Sequence, residues 1–272
     1  MVRHNLEYPK DIHNTVNRYK HQAVYSLTTI HTIINTTPVL HVSFTPSPES
    51  PFPVILPMIG QMGSFSHPSR DLGDPLDCYL HGYVSSRIMN LSRQEGGKGL
   101  PVCIAASKVD GLVLTLTPNS HNYNYRSSVL FGYAQLVSDP EEKIWAMELI
   151  TNSVLPNRWS NTRLPPNAAE MSSTQILRVS IHSGSAKVRE GVPNDEKADI
   201  ENEELLNEVW TGVIPVYENF GKPVPGPYNR VSVPEHVRVR EEWNERNERY
   251  AREAAGKDAP VAGKKKEAEG DD

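Results

Sequence analysis

The sequence predicts a mainly β (α+β) fold, a closed antiparallel barrel with helices packed on its outside. Six or seven runs have strand character, while the helical segments are few and short. Turn signals rather than long crossover helices separate most successive runs, which argues against a doubly wound parallel sheet. With 272 residues the chain is long enough to bury a sizeable core.

Residues 1–20 are polar without clear periodicity and read as an N-terminal arm. From Ser26 to Asn35, the helical spacing of Leu27, Ile30, Ile33 and Ile34 predicts a short amphipathic helix. A strand follows at 38–44, then a proline-rich turn at 45–53 and a returning strand at 54–62. Pro57 inside that strand argues for an edge or a bulge, because it has no N–H to give a ladder. Residues 63–77 form a long polar loop before "YLHGYVSSRIMNL" (79–91), where a strand hands over to a helix.

Next, "LPVCIAASKV" and "GLVLTLT" predict a strand pair turning at Asp110-Gly111. A long strand runs over 123–137 with Gly132 as a bulge. Asp139-Pro140 then caps a helix reaching about Ser153. A loop over 156–169 leads to strands at 175–181 and 185–189, an acidic exposed stretch at 190–204, and a last strand at 209–217. From Glu235 to about Ala255 a charged helix carries Val239, Trp243 and Tyr250 as its apolar stripe, and the tail from Gly256 reads as disordered. The domain divisions are therefore 1–20, 21–233, 234–255 and 256–272.

Composition removes several function classes. The 28 basic residues against 33 acidic ones leave no basic surplus for a nucleic-acid partner. No apolar run approaches the roughly 20 residues of a membrane span, and the N-terminus has no secretory h-region. Cys78 and Cys103 lie in apolar strands, as free thiols in a reducing compartment do. A soluble cytoplasmic protein is the expectation. The histidines form no metal-binding spacing, and P-loop, G-x-S-x-G and G-x-G-x-x-G motifs are absent.

Two clusters remain. Ser85, Ser86 and Arg87 stand at a helix start, where free N–H groups and the helix dipole favour an anion. Hydroxyls and a guanidinium there suit a phosphate, although a serine cap beside a solvated arginine is the commoner arrangement. In "NYNYRSS", alternation places Tyr123, Tyr125 and Ser127 on one face and Asn124, Arg126 and Ser128 on the other. Such a strand could border a polar, ring-shaped ligand, or be a protruding hairpin end. Lys187 and Arg189 share a strand face, as charges protecting an edge also do.

Taken in order and spacing, "IHTIINTTPVLHVSF", "PFPVILP", "YLHGYVSSRIMNL", "DGLVL", "NYRSSVLFGYA", "DPEEK", "PNRW", "SAKVR" and "VWTGVIPV" resemble the FMN-binding split barrels. The nearest branch is the flavin-nucleotide-binding proteins related to pyridoxamine 5′-phosphate oxidase and nitroimidazole-resistance reductases, over residues 16–240. The resemblance implies a six-stranded antiparallel split β-barrel with peripheral helices, dimeric, with FMN in grooves between the subunits. It assigns Ser85, Ser86 and Arg87 to the flavin phosphate. His81 and Gly82 would lie beside the ribityl chain or ring, and Pro57 along the isoalloxazine edge. Asn124, Tyr125, Arg126 and Ser127 fall at the same groove, with Lys187 reaching across the dimer.

This chain departs from the family pattern in its longer 63–77 loop and its charged C-terminal helix and tail. Met58 stands where related sequences often have threonine, and Ile88 where they often have lysine. The implied activity is an FMN-dependent oxidoreductase acting on a small molecule, with His81, Tyr125 and Arg126 the side chains to mutate. The alternatives are a flavin- or haem-binding module without turnover and, further off, a purely structural dimer.

Overall fold

The computed structural model describes residues 6–260. Its centre is an antiparallel barrel whose strands follow one another almost without interruption. A short strand β1 (Ala23–Val24) precedes helix α1 (Leu27–Thr36). Strands β2 (Leu40–Phe44), β3 (Val54–Gly63) and β4 (Asp77–Tyr83) follow, then helix α2 (Arg87–Gln94). Strands β5 (Leu100–Leu114) and β6 (Asn122–Leu136) lead to helix α3 (Pro140–Val154), with Asp139 accepting from the Glu141 N–H at its cap.

Helix α4 (Ala168–Ser173) carries a capping box from Asn167 to Glu170, and strand β7 (Thr174–Arg189) comes next. Helices α5 (Lys197–Ile200) and α6 (Glu203–Glu208), strand β8 (Gly212–Pro215), and helices α7 (Glu235–Arg238) and α8 (Arg240–Ala255) complete the chain.

The pairing order is β7-β4-β3-β2-β5-β6, and β6 pairs back onto β7, so six strands close on themselves. The two remaining strands are attachments, β1 on β7 and β8 on β5. Inward-facing residues such as Leu40, Leu80, Ile104, Leu130 and Leu177 have no solvent exposure, and Ile30 and Ile34 of α1 join the same core with Ile88 and Met89 of α2. A second cluster lies outside the barrel, where Ala146 and Ile150 of α3 cover Tyr79 and Ile176.

Four expectations change. The Asp110-Gly111 pair is not a turn: β5 runs straight through it, the register against β6 shifting between Val109 and Gly111. Asp110 instead turns its carboxylate inward to Arg126. The strands expected at 175–181 and 185–189 are one strand, and the bulge beside Gly132 places the extra residue, His182, on β7. The final strand is only Gly212–Pro215, and the loops at 156–169 and 190–204 hold the short helices α4, α5 and α6 in whole or part.

The arm is also packed: Asn14 is buried and donates to the Gly184 carbonyl at 3.0 Å. Of the tail, Gly256 closes α8 and Val192 N–H donates to the Lys257 carbonyl, so residues 256–260 are ordered against β7's end. The disorder expected over 261–272 lies outside the described residues.

Candidate functional site

The strand-to-helix junction forms as its residue types dictate. Ser86 adopts an extended conformation, φ −64° and ψ 152°, at the N-cap of α2. Its carbonyl accepts the first helical bond, from Asn90 N–H at 3.1 Å. Its hydroxyl makes no capping bond and is buried with no partner among the described residues. A serine cap normally spends that hydroxyl on a helix N–H, and a buried polar group left alone calls for an explanation.

Arg87 is exposed, and no described residue pairs with it. The turn itself is fixed from behind: Arg93 donates to the Val84 carbonyl at 3.2 Å and Asn90 to the Ser85 carbonyl at 3.2 Å. Gly82 lies directly over this cap. A Cβ there would meet Met89 Cε at 2.6 Å and stand 3.8 Å from Ser86 Oγ, so only glycine lets β4 pack this closely on α2 beside the cap.

His81 and Pro57 extend the surface sideways. His81 is on the outer face of β4 opposite Ile59, and desolvation holds its imidazole below the ordinary pKa, favouring the neutral form. Pro57 is exposed and pairs with His41, in the part of β3 that has only β2 beside it. The edge reading of Pro57 therefore holds. Ile59 also lines a cavity of about 410 Å³ with Val39, Phe220, Trp243, Arg240 and Arg246. Trp243 stacks edge-on to Phe220 at 5.5 Å, and both line this cavity with Ile59, which brings the C-terminal helix to the barrel wall.

The second cluster is elsewhere on the barrel. Gly82 pairs with Gln175 of β7, whereas Ser127 pairs with Lys187 of the same strand. Those twelve residues are roughly 40 Å of strand contour, so one chain does not bring the two clusters together.

Within the second cluster the side chains have different fates. Asn124 is fully buried and is held by Arg189 and the Gly191 carbonyl. Arg126 grips Asp110 through Nε at 2.9 Å and Nη2 at 2.6 Å, and its guanidinium lies 3.7 Å from the Tyr250 ring centroid on α8. Neither is free to meet a ligand. Ser127 donates to the Lys187 carbonyl at 3.3 Å.

Tyr125 and Lys187 line a polar cavity of about 620 Å³, together with Arg18, Tyr19 and Gln22. None of the junction residues reaches it. Sequence reasoning missed the arm's contribution, since a polar stretch without period gives no signal of where it docks.

Among the described residues no group of three or more His, Cys, Asp or Glu side chains could hold a metal ion. No helix among the described residues is long and apolar enough to cross a membrane. Cys78 is buried and Cys103 half-buried, both unpaired, and burial pushes the Cys78 thiol up to about 12.

Comparison with known proteins adds what the geometry alone does not. The family described as pyridoxamine 5′-phosphate oxidase matches residues 26–188. A solved structure of the flavocytochrome Anf3 from Azotobacter vinelandii is 30% identical, with a TM-score of 0.67, covering 85% of this chain and 97% of that one. The FAD and heme binding protein from Mycobacterium smegmatis is 23% identical with a TM-score of 0.64, covering 80% of this chain and 96% of its own. At that identity the second likeness bears on the fold. No curated protein matches at a significant level.

Proposed function

The chain belongs to the pyridoxamine 5′-phosphate oxidase-like family, and on that premise we propose that it binds a flavin nucleotide and is a flavin-dependent oxidoreductase acting on a small molecule. The observation that carries this reading is the junction at α2. Among the described residues, a buried serine hydroxyl without a partner, a guanidinium without a partner and uncapped helix N–H groups share one helix start, with Gly82 packed beside the cap. These groups fit a phosphate: Ser86 Oγ donates, Arg87 supplies charge and two parallel N–H groups, and the helix dipole adds to both.

A bound flavin supplies hydride or electron transfer, and the protein positions and tunes it. The protein's own contribution is the grip just described and the neutral His81 imidazole on the outer face of β4. FMN was the expectation from the sequence, and FMN it is in this proposal, since the grip needs only one phosphate. The mass of the flavin released by heat from the purified protein separates FMN from FAD.

Arg87→Ala is expected to weaken flavin retention by roughly ten- to a hundredfold, the worth of one charge-assisted contact, without lowering the melting temperature of the flavin-free protein. Unchanged retention would remove the phosphate assignment.

The proposed unit is a homodimer. On its outer face the barrel exposes Ile55 (59%), Ile59 (40%) and Tyr83 (63%) close to Pro57 and His81. Apolar side chains grouped on one face in this way suit an interface, and a partner subunit there would screen the flavin from water. Sedimentation equilibrium is expected to give twice the chain mass, and a monomer at micromolar concentration counts against this arrangement.

A second reading is supported by the Anf3 match, whose name denotes a flavocytochrome. On that reading the protein would hold haem as well as flavin, and the pair would supply electron transfer. A Soret band in the freshly purified protein selects it, and a flavin spectrum alone selects the first.

A further inference from the structure

We propose that the polar cavity bounded by the arm, β6 and the end of β7 is a second ligand site, which takes a phosphate-bearing small molecule independently of the flavin. Its lining carries three cations, Arg18, Lys187 and Arg189, beside the imidazoles of His21 and His121, and no carboxylate is among the described residues that line it. At about 620 Å³ it is in the range of small-molecule sites and can hold a ligand up to the size of a nucleotide.

Arg189 is the strongest single observation. It is only 6% exposed, and its hydrogen-bond partners are neutral, Asn124 Oδ1 and the Gly191 carbonyl. Both bonds use Nη1, leaving Nε and Nη2 without a bond among the described residues. A buried guanidinium is ordinarily compensated by a carboxylate. The acidic neighbours are engaged elsewhere, Glu190 with Tyr250 and Lys257, and Asp195 with the Leu116 N–H. Burial works against the charge of Arg189, lowering its pKa, and an anion in the cavity would relieve that.

Tyr19 supplies an independent observation. It is one of two non-glycine residues with positive φ among those described, at 55°, a conformation that costs energy and is held where the surroundings demand it. In this position its ring lies 4.9 Å below the Arg18 guanidinium and 5.2 Å below Lys187 Nζ, so one strained aromatic gathers two cations at the cavity's edge. Lys187 has no ion pair among the described residues.

Also on the lining, His121 Nδ1 accepts the Thr115 N–H at 3.0 Å, which leaves Nε2 as the ring's donor. Fixed cations without a counter-charge, alongside neutral donors, suit a phosphate or diphosphate.

The test is calorimetric titration of the purified, flavin-saturated protein with pyrophosphate, repeated on Lys187→Ala and Arg18→Ala. The expected result is one site per chain, weakening at least tenfold in each variant and steeply with added salt, at an unchanged melting temperature. Absence of binding, or equal affinity in the variants, overturns the proposal. So does release of flavin by pyrophosphate, because the cavity would then be part of the flavin site. Arg87→Ala is expected to leave pyrophosphate affinity unaltered, so this site and the junction fail separately.

Discussion

Lowering the pH from 7 to 4 is expected to remove about 3 kcal/mol of stability through one residue, His31. Its side chain has no solvent exposure in α1, and burial lowers its pKa from 6.5 to about 4. Both ring nitrogens are used, Nε2 with the Tyr8 hydroxyl at 2.8 Å and Nδ1 with the Leu72 carbonyl at 2.9 Å. The Leu72 carbonyl can only accept, so Nδ1 carries the proton and Nε2 accepts from Tyr8.

The folded protein therefore favours the neutral ring. Above about pH 6.5 the contribution is fully present. Between 6.5 and about 4 the unfolded chain binds a proton that the folded one refuses, and stability falls with pH. A difference of 2.5 units at 1.36 kcal/mol each gives the figure of about 3 kcal/mol. Urea unfolding at several pH values checks it against His31→Gln. The wild type should lose more stability than the variant over this window, and parallel curves would exclude His31 as the source. The residue joins the arm, α1 and the 64–76 loop, so all three should loosen together in acid.

Asp110→Ala is expected to cost about 3 kcal/mol, the low end of what breaking a buried ion pair costs. The Asp110 side chain is 4% exposed and that of Arg126 19%, and the bidentate contact is reinforced by the Tyr250 ring above the guanidinium. Removing the carboxylate leaves a charge in a poorly solvated place, with only glancing help from water. Replacing both partners by leucine should be milder than the single change, because no charge is then stranded. Denaturant unfolding of the single and double variants decides it: a double variant worse than Asp110→Ala would show that the pair adds net stability over an apolar replacement. Because Tyr250 belongs to α8, the single variant should also free the C-terminal helix, visible as faster amide exchange over 240–255.

The barrel was legible because alternation over β2 to β7 marks one inward face on each strand. The cap of α3 was equally plain from Asp139-Pro140. What misled was Asp110-Gly111, a hairpin pair by local chemistry. Whether Asp110 ends a strand or turns inward depends on Arg126 across the ladder, and local reading does not see that partner. The short helix α4 was overlooked although Asn167 and Glu170 spell its capping box. At six residues, within a stretch rich in proline and asparagine, it has too few turns to show a helical period.

At the candidate site, Ser85-Ser86-Arg87 stood out as a helix start, but the lack of a capping bond from Ser86 depends on the rotamer that its tertiary surroundings impose. Asn124 and Arg126 looked like ligand contacts for the same reason that they are structural. Polar side chains at a strand's end serve both purposes, and only the tertiary partners distinguish them.

The strand β7 is the seam of the barrel, paired along one side with β4 and along the other with β6. During synthesis it is also the last of the six to leave the ribosome. Until Arg189 has emerged, the nascent chain carries two open sheet edges and a half-made core, with Tyr79 waiting for Arg178. Such edges invite pairing with other chains. The interval between translating β6 and completing β7 is thus when this protein has most need of a chaperone, and slowing translation there should lower the soluble yield.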